Sequence, residues 1–387
     1  MTPFPDGSEA ARGYRDDVDF PFESLRRTPD VEGPGLVASD AADRLILDES
    51  LDARTLSTPG GLVVIGDGHG ALTLASAHAG ARDIRVHQDP LSGERALAEN
   101  AARLGLTDAF TSFPLSAALV RDASVVLLRL PRSLDELDDV AGLIAASAAS
   151  DVVVYAGGRI KHMTIAMNDV LCRHFGRVDV THARQKSRVL IARDPQDGAD
   201  PQPRRAEVDG ITVCAFGGVF AGPAIDIGTR MLLAHLPQDI PDDGPLIDYA
   251  CGTGVVATTL ALRHPDRTVH ASDQSAAAVA SARATVAATH VDDRVRVVRD
   301  DLLGSLPDRS AAFIALNPPF HSGAAVTDAP APRMFRDAAR VLRPGGELWT
   351  VWNSHLRYRP VLEDLLGPTR QVARDAKFTV TASVRRG

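Results

Sequence analysis

Leu246-Ile-Asp-Tyr-Ala-Cys-Gly-Thr-Gly254 is an apolar run that turns into a glycine loop. A helix-like stretch, Val255 to Arg263, follows it, and then a second apolar run, Thr268-Val-His-Ala-Ser-Asp273, ends in an acid. Strand, glycine turn, helix, strand and acid open a nucleotide-type α/β unit: the glycines let backbone approach a ligand, and the acid is placed for a ribose diol. One such loop is a weak signal, but the chain carries it twice. Gly61-Leu-Val-Val-Ile-Gly-Asp-Gly-His-Gly70, the helix-like Ala71 to Ala79 and Ile84-Arg-Val-His-Gln-Asp89 repeat the scheme. Gly68 and Gly252, Gly70 and Gly254, and Asp89 and Asp273 are each 184 residues apart, with no gap. The repeat predicts an α/β protein of two tandem Rossmann-like domains, each a mostly parallel twisted sheet with helices on both faces.

Around the repeat the chain divides into a loose tail over 1–35, a first domain over 36–194, a Pro- and Asp-rich linker over 195–208 and a second domain over 209–387. In the first domain, helical spacing predicts a helix from Ser39 to Leu51. Ser124 to Pro131 sits where Phe313 to Pro318 sits in the second copy after a drift of about three residues, which puts Leu130 in the place of Asn317. Gly157-Gly158 reads as a turn, and the domain closes with a helix from about Met163 to Phe175 and a strand near Arg188 to Ala192. In the second domain Asp226-Ile-Gly-Thr-Arg reads as a helix start below the sheet, and strands at Glu347 to Trp352 and Phe378 to Val384 close the unit.

The 387 residues are 44% hydrophobic and 24% charged, an ordinary globular composition with no run long enough to span a membrane. The opening Met1-Thr-Pro-Phe-Pro-Asp-Gly has no basic-then-apolar pattern, and three scattered cysteines suggest neither a disulfide framework nor a metal; the expectation is a cytoplasmic protein. A net charge of −8 argues against indiscriminate nucleic-acid binding. The C-terminal end is different: from Arg340 onward nine basic residues stand against four acids. With Trp349, Trp352 and Tyr358 nearby, this end is a candidate nucleic-acid face.

The second copy also carries Phe313-Ile-Ala-Leu-Asn-Pro-Pro-Phe-His321. Strand character ends at Asn317, because Pro318 and Pro319 lack N–H groups and have fixed φ. The Asn317 side-chain carbonyl and the Pro318 carbonyl are acceptors, and Phe320 offers a flat face, so an amino group on a planar ring fits there. Asp248, in the strand before the glycine loop, suits a ligand with an ammonium group. Asp300, after the strand-like Val295 to Arg299, suits an adenine amine, with Asp301 as its competitor.

In that order and spacing, Asp248 to Gly254, Asp273, Asp300 and Asn317-Pro318-Pro319-Phe320-His321 resemble the class I S-adenosylmethionine-dependent methyltransferases. More closely, residues from about 40 onward resemble the two-domain ribosomal RNA guanine-N2 methyltransferases, with the large-subunit type slightly nearer than the small-subunit type. The resemblance includes Asp226-Ile-Gly-Thr-Arg and Trp352-Asn-Ser-His-Leu356 through Phe378, and in the first half Leu130-Pro-Arg-Ser133 and Gly158-Arg-Ile-Lys-His-Met-Thr164. It implies transfer of a methyl group to a guanine N2 in rRNA, with Asn317, Pro318, Pro319 and Phe320 as the catalytic set. It also implies that Asp248, Ala250, Gly252, Gly254, Asp273, Asp300 and Asn317 hold S-adenosylmethionine, and that the first domain is inactive but grips RNA. Two departures stand out: Ala250 replaces the loop's usual glycine and Tyr249 a small aliphatic residue, which costs little unless φ is positive at 250. Methylation of protein glutamine or adenine N6, and a non-catalytic RNA-binding or ribosome-assembly role, are the alternatives. No His-x-His or His-x-x-x-His pattern indicates a metal.

Overall fold

The computed structural model describes residues 20–240, 244–319 and 330–387. In the first half the strands are β1 (Leu62–Ile65), β2 (Ile84–His87), β3 (Phe110–Ser112), β4 (Val125–Arg129), β5 (Val153–Arg159), β6 (Phe175–Val180) and β7 (Ser187–Pro195). A hairpin, β8 (Arg204–Val208) and β9 (Ile211–Ala215), follows. The second half has β10 (Leu246–Tyr249), β11 (Val269–Asp273), β12 (Val295–Arg299), β13 (Ala311–Leu316), β14 (Leu342–Asn353), β15 (Thr369–Arg374) and β16 (Phe378–Val384).

The two sheets have one topology: β3-β2-β1-β4-β5-β7-β6 and β12-β11-β10-β13-β14-β16-β15. In each sheet six strands run in one direction, and only β7 and β16, the sixth in order, run antiparallel to their neighbours. Every residue of β1, β10 and β13 is buried, as parallel strands covered on both faces require. Strand order reverses between β1 and β4 and between β10 and β13, and in such sheets the crevice at the carboxyl ends there is where ligands bind.

Four sequence expectations change. Gly157 and Gly158 are no turn but lie within β5, where a Cβ at Gly157 would collide with Ile46 of the helix Ala41–Glu49; the glycine admits a close-packed helix. Residues 20–35, within the expected loose tail, carry Phe20 and Leu25 into the first core. The expected linker ends in β8, and the hairpin belongs to the second half, because the amides of Cys214 and Phe216 donate to Thr285 Oγ1 and Ser281 Oγ at 2.9 Å. The helix Ile227–His235 packs on β14 and β16 with its start at the carboxyl edge of the sheet, not below it.

The halves meet through the loops that follow β2 and β11. Ala276 N donates to Asp89 O and Leu91 N to Gln274 O, at 2.9 and 3.0 Å. Arg299, at the end of β12, ion-pairs with Glu94 at 2.6 Å and donates to the carbonyls of Gln88 and Asp89.

Candidate active site

The glycine loop of the second half begins where β10 stops. Ala250 has φ +59°, in the left-handed region that disfavours a Cβ, whereas the equivalent residue of the first half is a glycine, Gly66, at +77°. Here φ is positive, so the alanine is strained. The loop is then fixed by its neighbours: Cys251 N donates to Ser272 O at 3.0 Å, and Gly252 N to Asp273 Oδ2 at 3.0 Å.

Two acids hold this loop and the helix it opens, and a third stands at the neighbouring strand end. Asp248 is 3% exposed and receives the Ala257 amide at 2.8 Å. Burial, with Asp273 adding to it, pushes its carboxyl from 3.8 up to about 7, and among the described residues no cation offsets that. Asp273 accepts from Gly252 N and Ser275 N, and burial raises it as well. Asp300 donates its own amide to Asp273 O at 2.9 Å, and its buried carboxylate takes Ser305 N at 2.7 Å. Asp301, its competitor, pairs across the interface with Arg95 at 3.0 Å.

Asn317 follows β13 directly, and β13 lies beside β10 with Leu316 opposite Tyr249. The switch-point crevice therefore has Asp248 and the loop on one side and Asn317 on the other. Asn317 Nδ2 donates to Thr229 Oγ1 at 2.8 Å and to Asp226 Oδ2 at 3.4 Å. Its Oδ1 is buried and has no partner among the described residues. No described donor reaches the carbonyl of the buried Pro318, while Pro319 is exposed. Phe320 and His321 lie outside the described residues.

The sequence marks Asp226-Ile-Gly-Thr-Arg as a helix start and a family likeness, but gives Asp226 and Thr229 no part in the site. Asp226 is the N-cap of the helix Ile227–His235, its Oδ1 taking the amides of Gly228 and Thr229. A signal existed: Asp40 caps the helix Ala41–Glu49 in the first half with Asp43 three residues on, each 186 residues before its counterpart.

In the first half the same places hold different groups. Leu128 lies opposite Ile65 as Leu316 lies opposite Tyr249, so Arg129, and not Leu130, stands where Asn317 stands. Arg129 pairs with Asp40 at 3.0 Å and with Asp43 at 3.1 Å. Val64 replaces Asp248. Asp89, counterpart of Asp273, is turned toward the second half, where it receives Ser275 Oγ and Ala277 N at 3.0 and 2.8 Å. Over the glycine loop, His69 Nε2 lies 3.3 Å from Asp30 and Asn100 donates to His69 O and Arg26 O, so residues 26–30 are tied down there.

The expected aromatic nucleic-acid face does not form. Trp349, Trp352 and Tyr358 are buried in the cores on the two faces of the second sheet, and Arg340 is held by Asp337 and Asp308.

The chain matches two family models, RLMG N-terminal domain over 17–196 and Methyltransferase small domain over 210–382. It is 37% identical to the ribosomal RNA large subunit methyltransferase G of Streptomyces avermitilis, covering 94% of this chain and 97% of that one. It is 33% identical to the protein of that name from Shewanella amazonensis, covering 93% and 96%. The T. thermophilus 16S rRNA N2 methyltransferase RsmC, solved with AdoMet and guanosine, shares the two-sheet fold at a TM-score of 0.71 and 19% identity, over 92% of this chain and 97% of that chain. With relatives this similar over nearly the whole length, this chain belongs to the ribosomal RNA large subunit methyltransferase G family.

Proposed function

We propose that the second half transfers a methyl group from S-adenosylmethionine to the exocyclic N2 amine of a guanine in ribosomal RNA, with Asn317 as the residue that receives the amine. The observation that carries this reading is the buried Oδ1 of Asn317, without a partner among the described residues, at the switch point across from Asp248. The family's name and the ligands of RsmC point to the same chemistry.

The residues fit the cofactor. A buried carboxylate without a cation among the described residues, Asp248, suits an ammonium group. The backbone of Ala250, Gly252 and Gly254 admits close approach, Asp273 suits the ribose diol and Asp300 the adenine amine. When bound, the cofactor would supply a methyl group already activated on its sulfonium, the carbon–sulfur pair returning to a neutral thioether and the methylated amine losing its extra proton to solvent, so the protein needs no strong base. Asn317 Oδ1 and the Pro318 carbonyl accept the two N–H bonds of the amine, which turns its lone pair outward and holds it aligned. Phe320 and Pro319 complete this set in the proposal, Phe320 by stacking on a base splayed out of the RNA.

The first half, with Val64, Arg129 and an engaged Asp89, transfers nothing in this reading. It offers grip instead in this reading, and the basic Arg132, Arg159 and Lys161 near His162, which after desolvation lower its pKa against Asp40, support that. The exposed Arg374 and Arg386 of the C-terminal end add to the RNA face, and the bacterial cytoplasm is the compartment where rRNA is met.

The test is Asn317→Ala, assayed on ribosomal RNA from a strain lacking the gene. The expected outcome is a loss of about 10²–10³-fold in kcat with the thermal midpoint held. Full activity in that variant removes the proposal.

A further inference from the structure

We infer that Asp226 and Thr229 are positioning residues for the Asn317 amide, Thr229 holding it in place and Asp226 deciding which end faces the substrate; the inference rests on the methyl-transfer reading above. The two ends of an amide are nearly equal in size, so packing cannot choose between them. Thr229 Oγ1, at 2.8 Å, holds the group in place, but a hydroxyl both donates and accepts and is indifferent to a flip. Asp226 chooses. Its Oδ1 is spent on the helix amides of Gly228 and Thr229, at 2.9 and 3.3 Å, and its Oδ2 lies 3.4 Å from Asn317 Nδ2. A flipped amide would set oxygen against oxygen. The NH2 end is therefore held inward, and Oδ1, without a described partner, is left to accept from an amine. In the other orientation the amide would present a donor to a donor.

The first half carries the same arrangement with different contents. Asp40, the N-cap, and Asp43, three residues on, meet Arg129 in the place of Asn317. There a cation fills the acceptors and offers no oxygen in return. Helix start and strand end thus meet in both halves, and only the second leaves an acceptor over.

Asp226→Asn separates the two roles of the carboxylate. An amide oxygen caps a helix as well as a carboxylate does, so the helix start is kept, but the second atom becomes an NH2 donor that draws the Asn317 oxygen inward. The expected result is a 10–100-fold fall in kcat, with the S-adenosylmethionine Kd by titration calorimetry and the thermal midpoint unchanged. The double variant D226N/N317D restores an acceptor on both sides and is expected to recover at least tenfold of the lost rate, which a purely structural role does not predict. Thr229→Val leaves the cap intact and is expected to lower kcat several-fold. A wild-type kcat in D226N, or a double variant no faster than D226N, overturns the inference; if D226N fails to fold, an undiminished kcat in Thr229→Val does so. An inactive Asn317→Ala beside a fully active D226N sinks only the positioning role, whereas an active Asn317→Ala sinks the transfer reading itself.

Discussion

The two halves share strand order and helix starts, and three pairs of equivalent positions at the switch point separate them by unbalanced charge or strain. Val64, apolar in β1, corresponds to Asp248, a buried carboxylate with no cation among the described residues. Arg129, neutralised by Asp40 and Asp43, corresponds to Asn317, whose oxygen has no described partner. Gly66, relaxed at positive φ, corresponds to Ala250, strained there. In each pair the first half is internally satisfied and the second is left unfinished. Unsatisfied groups cost stability, and a fold keeps them where a ligand completes them.

Making the second half like the first at its reactive position gives the largest expected effect. Asn317→Arg puts a donor where an acceptor is needed and is expected to reduce methyl transfer to rRNA by at least about 10³-fold. The reverse change, Arg129→Asn, is expected to create no second activity, since Val64 and the engaged Asp89 remain; a methylating first half, assayed with Asn317 removed, would break the comparison.

Asp248→Val copies the first half's strand. It is expected to weaken S-adenosylmethionine binding by about 100-fold, on the scale of a lost charge-assisted contact. At pH 8 it is expected to stabilise the ligand-free chain by about 2 kcal/mol in denaturant titrations. The folded carboxyl lies at about 7 against 3.8 unfolded, so its cost is absent below about pH 4, grows as pH rises and levels off above 7. The stabilising effect of Asp248→Val follows that window, and in the unaltered chain cofactor affinity rises from pH 6 to pH 8 as Asp248 ionises.

Arg129→Leu tests the first half's saturated cluster. Removing the cation leaves Asp40 and Asp43 together and is expected to cost about 2 kcal/mol at pH 8. Burial, and then Asp40, holds Asp43 up at about 6 despite Arg129, so the loss shrinks as the pH falls through 6 and the carboxyl takes a proton. A pH-independent loss would mean that Arg129 acts by packing alone.

The smallest effect is reciprocal. Ala250→Gly relieves a left-handed residue and is expected to gain about 1 kcal/mol, whereas Gly66→Ala loses a similar amount. Calorimetric midpoints that move in the same direction for both would show that the two loops are not equivalent.

Much of this was legible in the sequence, for local reasons. The glycine loops and terminal acids stood out because strand, turn and helix each leave a pattern within a few residues. Other features had no local signature. A three-residue drift put Leu130 opposite Asn317, and only the pairing of Leu128 with Ile65 moved Arg129 there. Gly157 reads as a turn until Ile46, far away in the chain, is seen against it. Trp349 and Trp352 read as a surface until the sheet buries them.

By itself the sequence determined that there are two α/β units and that Asn317 ends a strand, because proline's missing N–H and glycine's backbone freedom act on their own residue and its neighbours. Tertiary structure alone decided what Asn317 faces. Asp226 lies 91 residues away, and it meets the amide only once the helix it caps has packed on the sheet and β13 has paired beside β10. A hydrogen bond between remote segments depends on strand order and register, which no local pattern encodes.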